Sequence, residues 1–280
     1  MSIPSESAPS SSTELLPRPS RLGRFWRAAR GTVIPTATFL ALIALWETGV
    51  RVFDIPSFLL PGPSAVIAAG TGLPLAQWLA HTVATLEIVL GGYALSILVS
   101  VPLGILIASS RPVAEALYPL LVVTQSLPVV AVAPVIIVIL GAGELPRLVI
   151  TFLIAFFPIV ISTVTGLRAT PPELVELSRS LRAGAARELW QIRLPWAVPY
   201  LFAALKVSIT LAVIGAVVAE FVAAEQGLGY LIKFSTSYFK VPLAFAGLAV
   251  LAALSLLLFQ MVVWVEKTVF PWSVPRQDDR

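Results

Sequence analysis

Six windows of about twenty apolar residues recur along the chain, at approximately 33–53, 82–108, 115–140, 146–166, 197–222 and 243–265. A helix needs about 20 residues to cross about 30 Å of hydrocarbon, so each window predicts one transmembrane helix. Runs such as Val129–Leu140 place apolar residues at every position, which excludes the alternating strands of a membrane barrel. The pattern therefore predicts an all-α membrane protein with six transmembrane helices. Pro102, Pro128, Pro134 and Pro158 fall inside the windows. Each withholds a backbone donor, so kinks or broken helices are expected, above all in the third window, which holds two of the four.

Composition agrees with the pattern. Of 280 residues, 58% are hydrophobic and 12% charged, too few charges to coat a soluble globule but enough for a chain whose surface meets lipid. The chain has no cysteine, and His81 is its one histidine. Disulfides, thiol nucleophiles, thiolate metal sites and histidine-cluster metal sites are thereby excluded, so no catalytic or metal-ligating residue is expected. The formal charge of +4 follows topology rather than a nucleic-acid-binding face. With a cytoplasmic N-terminus, 14 of the 19 Lys and Arg fall in inside segments and four outside (Arg51, Arg147, Lys233, Lys240), with Lys206 near the inner end of the fifth window. This asymmetry places both termini in the cytoplasm. Residues 1–20 hold seven Ser and four Pro and read as a disordered tail. The stretch 21–32 reads as a basic interfacial segment on anionic headgroups, 33–272 as the transmembrane domain and 273–280 as a C-terminal tail. The apolar run from Val33 lacks a small-residue cleavage site, so it reads as an uncleaved span.

The connection 167–196 is the longest inside loop and carries eight charged residues. Thr170-Pro171-Pro172-Glu173 reads as a helix start, with Thr170 as N-cap and Glu173 bonding back to it. The helix should run to about Leu181, with Leu174, Leu177 and Leu181 on one stripe, and stop at Gly184. A second short helix through Leu189, Trp190 and Ile192 should end before Leu194-Pro195. An amphipathic connector resting on headgroups and a docking element for a protein are both compatible with this pattern.

Glu176-Leu177-Ser178, Ile192 and Leu194-Pro195 resemble the cytoplasmic EAA loop of ABC importer permeases, whose pattern is Glu-Ala-Ala, three residues, Gly, nine residues, Ile, one residue, Leu-Pro. Arg182 stands at the glycine position, and Gly184 two residues on is expected to supply the turn. Pro61-Gly62-Pro63-Ser64, Gln125-Ser126-Leu127-Pro128, Gly141-Ala142-Gly143-Glu144, Phe156-Phe157-Pro158-Ile159, Ala219-Glu220-Phe221 and Gly227-Leu228-Gly229-Tyr230 are similar to landmarks of the nitrate, sulfonate and taurine permease subfamily. The Gln-Ser-x-Pro and Phe-Phe-Pro-Ile wording is closest to permeases for thiamine-pyrimidine precursors or riboflavin.

That resemblance implies a type I ABC importer permease fold in a bacterial inner membrane. It also implies a homodimer with a second permease copy, two cytoplasmic ABC ATPase subunits and an extracytoplasmic solute-binding protein. None of Lys206, Lys233, Lys240 or Lys267 follows a glycine, so this chain has no phosphate-binding loop, and ATP and Mg belong on the partner ATPase. The implied mechanism is alternating access, with ATP-driven closure of the ATPase pair transmitted through 171–195. Glu176, Leu177, Leu181, Arg182, Gly184, Ile192, Leu194 and Pro195 are the expected coupling residues.

Polar residues at membrane depth are the candidates for the path. Thr124, Gln125 and Ser126 precede Pro128, where a broken helix would aim free carbonyls into a cavity, and Glu220 lies beside Gly227-Leu228-Gly229-Tyr230. Glu87 reads as a packing partner or a pathway residue, His81 as a surface residue. Lysine and arginine are missing from mid-membrane positions, which favours a neutral or aromatic solute. Gly91-Gly92, Gly104 and the small residues Ala212, Gly215, Ala216 and Ala219 suit close helix packing, in the monomer interior or at a dimer seam. The alternative to an ATP-driven importer is a secondary transporter, but 33–140 and 146–265 show no convincing inverted repeat.

Overall fold

The computed structural model of the protein describes residues 21–273, with side chains from Val33 onward. The expected tail 1–20, the side chains of the basic segment 21–32 and the tail beyond residue 273 lie outside the described residues. Helix α1 (Arg21–Val52) belongs to a unit of its own that ends at Asp54. Its stretch Val33–Val52 is long and apolar enough to cross a bilayer. Near its end Arg51 pairs with Glu47 one turn earlier, at 2.6 Å, on the exposed surface.

The second unit begins at Ile55. Its helices are α2 (Pro63–Gly72), α3 (Leu75–Ser109), α4 (Arg111–Ser126), α5 (Val129–Leu140), α6 (Glu144–Arg168), α7 (Pro172–Ser180), α8 (Ala185–Glu188), α9 (Leu194–Ala223), α10 (Leu228–Ser237) and α11 (Val241–Val269). A π-turn (Leu189–Arg193) joins α8 to α9, and a 3-10 turn (Pro271–Ser273) follows α11. Five of the described helices are long and apolar enough to span a membrane, and α4 with α5 supplies the sixth if that bent pair counts as one span.

That pair is the main departure from the regular pattern. The expected span 115–140 is two helices meeting at 96°. Leu127 is extended, with φ −81° and ψ 124°, because the Pro128 ring disfavours helical backbone in the residue before it. The first sequence window after α1 also begins early: α3 starts at Leu75, so His81 and Thr85 lie on its first turns.

Helix α6 packs along α3 on one side and α9 on the other. Small residues let the backbones close. A Cβ on Gly92 or Gly104 of α3 would lie 2.4 Å from Thr151 Cγ2 or 2.6 Å from Thr163 Cβ of α6. Ala212, Ala216 and Ala219 of α9 are fully buried, so these positions serve the interior of the monomer. Without water in the hydrocarbon, hydroxyls turn to backbone carbonyls. Ser96 Oγ donates to Gly92 O and Phe152 O (2.8 and 3.2 Å), Ser100 Oγ to Phe156 O (3.0 Å) and Tyr93 OH to Leu205 O (3.1 Å). The core beside them joins Ile88 and Val89 of α3, Ala155 of α6, Ile209 and Val213 of α9 and Leu258 of α11.

Candidate functional site

The loop between α6 and α9 folds into one braced piece, though not with the caps expected. Helix α7 starts at Pro172 with Pro171 before it. Thr170 is not the cap: its Oγ1 donates to Leu167 O (3.2 Å), which closes the end of α6, while Leu174 and Val175 N–H reach Pro171 O. Pro171 and Pro172 have no N–H, so two of the first donors that a helix start leaves without partners are missing already. Val175 and Ser178 face inward and are buried, whereas Leu174, Leu177 and Leu181 are exposed.

Arg182, not Gly184, ends the helix. Its φ is +55°; its N–H reaches Arg179 O (2.9 Å), and the N–H of Ala183 reaches Ser178 O (3.0 Å). Those two bonds form a Schellman motif with Arg182 at the left-handed position, where glycine is at ease and other residues are strained. Gly184 instead has ordinary extended backbone and opens α8. Arg182→Gly is therefore expected to stabilise the permease by about 1 kcal/mol and to raise its thermal midpoint by about 2 °C, read by thermal unfolding in detergent.

Beyond Gly184 the chain does not pause before Leu194-Pro195. Helical structure continues from Ala185 into α9 through the π-turn, where Leu194 N–H reaches back to Leu189 O. A wider turn leaves room for a residue without an N–H, and Pro195 is that residue. The same turn brings Glu188 and Arg193, five apart, onto one side. Glu188 is only 8% exposed; its Oε1 accepts from Arg193 at 2.6 Å and its Oε2 from Arg179 at 3.4 Å. Arg193 also reaches Leu167 O (3.5 Å), and Arg168 donates to Ile107 O of α3 (3.4 Å). The loop is thus tied to α3, α6 and α9 together. Glu188 is the residue that sequence reasoning missed, because a five-residue spacing matches no ordinary helical face.

On its outer side the loop presents Leu174, Leu177, Leu181, Ile192 and Trp196 around a groove of about 420 Å³. Glu176 is exposed on α7, outside the groove's lining, with no ion pair among the described residues. Leu194 and Pro195 are half-buried at the start of α9. An exposed apolar cleft flanked by an unpaired carboxylate on a braced element is suited to receiving another protein.

The candidate path residues separate into two places. At the α4–α5 bend a cavity of about 500 Å³ is lined by Leu121, Thr124, Gln125, Phe152, Phe156 and Phe157, among other apolar side chains and no charged one. Thr124 and Ser126 spend their hydroxyls on their own helix, donating to Leu120 O (2.8 Å) and Val122 O (3.0 Å). Ser126 does not line the cavity. The Gln125 amide is its main polar feature.

Glu220 of α9 lies elsewhere, 1% exposed, against the start of α10. Three successive N–H groups there meet three side chains: Gly227 reaches His81 Nδ1 (3.2 Å), Leu228 reaches Thr85 Oγ1 (2.7 Å) and Gly229 reaches Glu220 Oε2 (2.6 Å). Such acceptors satisfy the orphan donors of a helix N-terminus. His81 is half-buried and stacks on Tyr230 with ring centroids 6.1 Å apart, so it is part of this clamp rather than a surface residue. Its four-residue spacing from Thr85 on α3 was the signal available. Glu87, by contrast, is exposed and lines a separate charged cavity with Glu144, Arg147 and Glu225.

Residues 100–271 match the family model described as binding-protein-dependent transport system inner membrane component. The chain belongs to that family: it is an ABC importer permease. The permease is 38% identical to the riboflavin transport system permease protein RibX of Chloroflexus aurantiacus, over 93% of this chain and 97% of that one. It is 34% identical to the formylaminopyrimidine transport permease protein ThiX of Halalkalibacterium halodurans, over 85% and 95%, and 26% identical to the taurine transport system permease protein TauC of Escherichia coli, over 90% and 94%. In fold it is similar to an inward-facing MetNI methionine ABC transporter, with a TM-score of 0.58 at 21% identity over 66% of this chain and 93% of that one. The permease is accordingly a multi-pass inner-membrane protein of the type I importer fold.

Proposed function

We propose that the permease carries an uncharged, aromatic heterocyclic solute of the flavin or pyrimidine type, driven by a separate ATPase seated on residues 171–195. The assembly is two permease copies, two cytoplasmic ATPase subunits that hold ATP and Mg, and an extracytoplasmic solute-binding protein. The observation that carries the solute class is the cavity at the α4–α5 bend, where Phe152, Phe156 and Phe157 offer ring faces, Gln125 offers an amide, and no charged side chain is available to an anion. Aromatic pairs contribute about 0.5–1.5 kcal/mol beyond burial, and one amide hydrogen bond contributes a similar amount. The relatives named for riboflavin and formylaminopyrimidine share more identity with this chain than the one named for taurine.

In this reading Glu176 makes a charge-assisted contact with the ATPase and Leu177 and Leu181 enter an apolar depression on it. The braces of Glu188 and Arg168 carry the movement to α3, α6 and α9. Solute-stimulated ATP hydrolysis in vesicles holding permease, ATPase and binding protein tests the solute class. Riboflavin or formylaminopyrimidine is expected to stimulate, with Gln125→Ala weakening the response about tenfold. Stimulation by taurine alone would refute the assignment.

A further inference from the structure

The turn after α11 offers a large aromatic side chain to the groove described above. Trp272 is 62% exposed and lines that groove together with Leu177, Leu181 and Ile192. It is not a loose end. Phe270 meets Trp272 edge-on with centroids 5.3 Å apart and itself packs on the buried Phe202 of α9, also at 5.3 Å. Ser273, buried, donates to Phe270 O (2.8 Å) and lies 3.4 Å from Glu266 Oε1. Glu266 in turn is paired with Lys206 of α9 at 2.5 Å. An ion pair, a hydroxyl and two phenyl rings thus hold one indole out in a fixed pose.

We propose that the Pro271–Ser273 turn is a second wall of the ATPase-docking surface, with Trp272 as an anchor and Glu266–Lys206 as the strut that positions it. The proposal rests on the docking role of residues 171–195 and extends that surface to the other end of the chain. A rigid, exposed tryptophan bordering an apolar cleft is the feature that dominates protein interfaces, because little side-chain entropy is lost when it is covered. The occupant follows from continuity: whatever covers Leu177 and Leu181 also covers the indole across the same groove. Lipid is the poorer occupant, since α7, which supplies Leu174, Leu177 and Leu181 to the groove, also carries Glu173, Glu176 and Arg179, all exposed just outside its lining. Charged groups on that short helix require water or a polar protein surface.

The chain lacks cysteine, so Trp272→Cys and Leu177→Cys each create a single probe for a water-soluble maleimide, with labelling read on the permease itself. In the permease alone both are expected to react. In the assembled complex both are expected to slow about tenfold or more, as mass action requires when the ATPase is about tenfold above its dissociation constant. Protection of Leu177→Cys without protection of Trp272→Cys, in a Trp272→Cys permease that still co-purifies with the ATPase, would overturn this proposal and leave the coupling loop standing. Protection of neither would overturn the loop reading as well. Failure of Trp272→Cys to label in the permease alone would mean that the turn is covered by bilayer, and would also overturn it. If Trp272→Cys abolishes co-purification of the ATPase from a permease that still elutes as a folded species, and Trp272→Phe restores it, the assignment is supported. Pro271→Cys, on the same exposed turn, replaces Trp272→Cys in the labelling should the latter not fold.

Discussion

Gly227→Ala is expected to destabilise the permease by about 4 kcal/mol, a large effect for a single methyl group. The backbone at Gly227 has φ +127° and ψ 162°, a region that only glycine occupies without strain. A Cβ placed there would sit 2.3 Å from Glu220 Cδ and 2.5 Å from both carboxylate oxygens. The carboxyl group would have to withdraw from Gly229 N–H, leaving a buried polar group and a helix N-terminus each short of a partner. Strain contributes about 1–3 kcal/mol, and leaving a buried polar group without its hydrogen bond about 1–3 kcal/mol. Thermal unfolding in detergent checks the stability. Gly184→Ala is the control: nothing lies within 4 Å of a Cβ there, its φ is −69°, and the midpoint should scarcely move.

Lys206→Met is expected to cost about 3 kcal/mol, and Lys206→Met combined with Glu266→Gln about 1 kcal/mol or less. Glu266 has a side chain only 6% exposed, and Lys206 meets it at 2.5 Å. Removing the ammonium leaves an uncompensated carboxylate, whereas removing both charges leaves a neutral contact. The positive coupling between the two substitutions, measured as a double-mutant cycle on the thermal midpoint, identifies the pair. A loss in the double variant equal to the sum of the two single losses would show that the pair contributes no specific stabilisation. The same cycle should alter labelling at Trp272→Cys, since Glu266 lies beside Ser273.

What the sequence revealed and what it hid divide along physical lines. The long helices were legible because a bilayer imposes one requirement, about 20 apolar residues, that the chain must write locally. Irregularity at Pro128 was legible for the same reason, since a proline acts on its own neighbours, but the 96° between α4 and α5 depends on what they pack against. The leucine stripe of α7 was legible by period. Its caps were not: Thr170 turned back to α6, and the left-handed position fell on Arg182. The loop pattern contained that information, because the glycine it expects at residue 182 is what a Schellman turn prefers. Helix α10 went unread as a helix because its N-terminus is satisfied from α3 and α9, by His81, Thr85 and Glu220. Glu188–Arg193 and Lys206–Glu266 are of the same kind, partners joined by a π-turn or by a span of 60 residues. Such pairs leave no period.

The central claim is that residues 171–195 transmit the work of a separate ATPase to the membrane helices, and Glu176 is its most direct handle. Glu176 is exposed and outside the braces that hold the loop, so Glu176→Lys should leave the fold intact. Solute-stimulated ATP hydrolysis by the assembled transporter in lipid vesicles is the measurement. Reversal of a charge-assisted contact worth about 1.5–3 kcal/mol predicts that stimulation by the solute falls at least about tenfold in Glu176→Lys, with the permease unfolding at the temperature of the unaltered protein. Stimulation equal to that of the unaltered transporter would contradict the account.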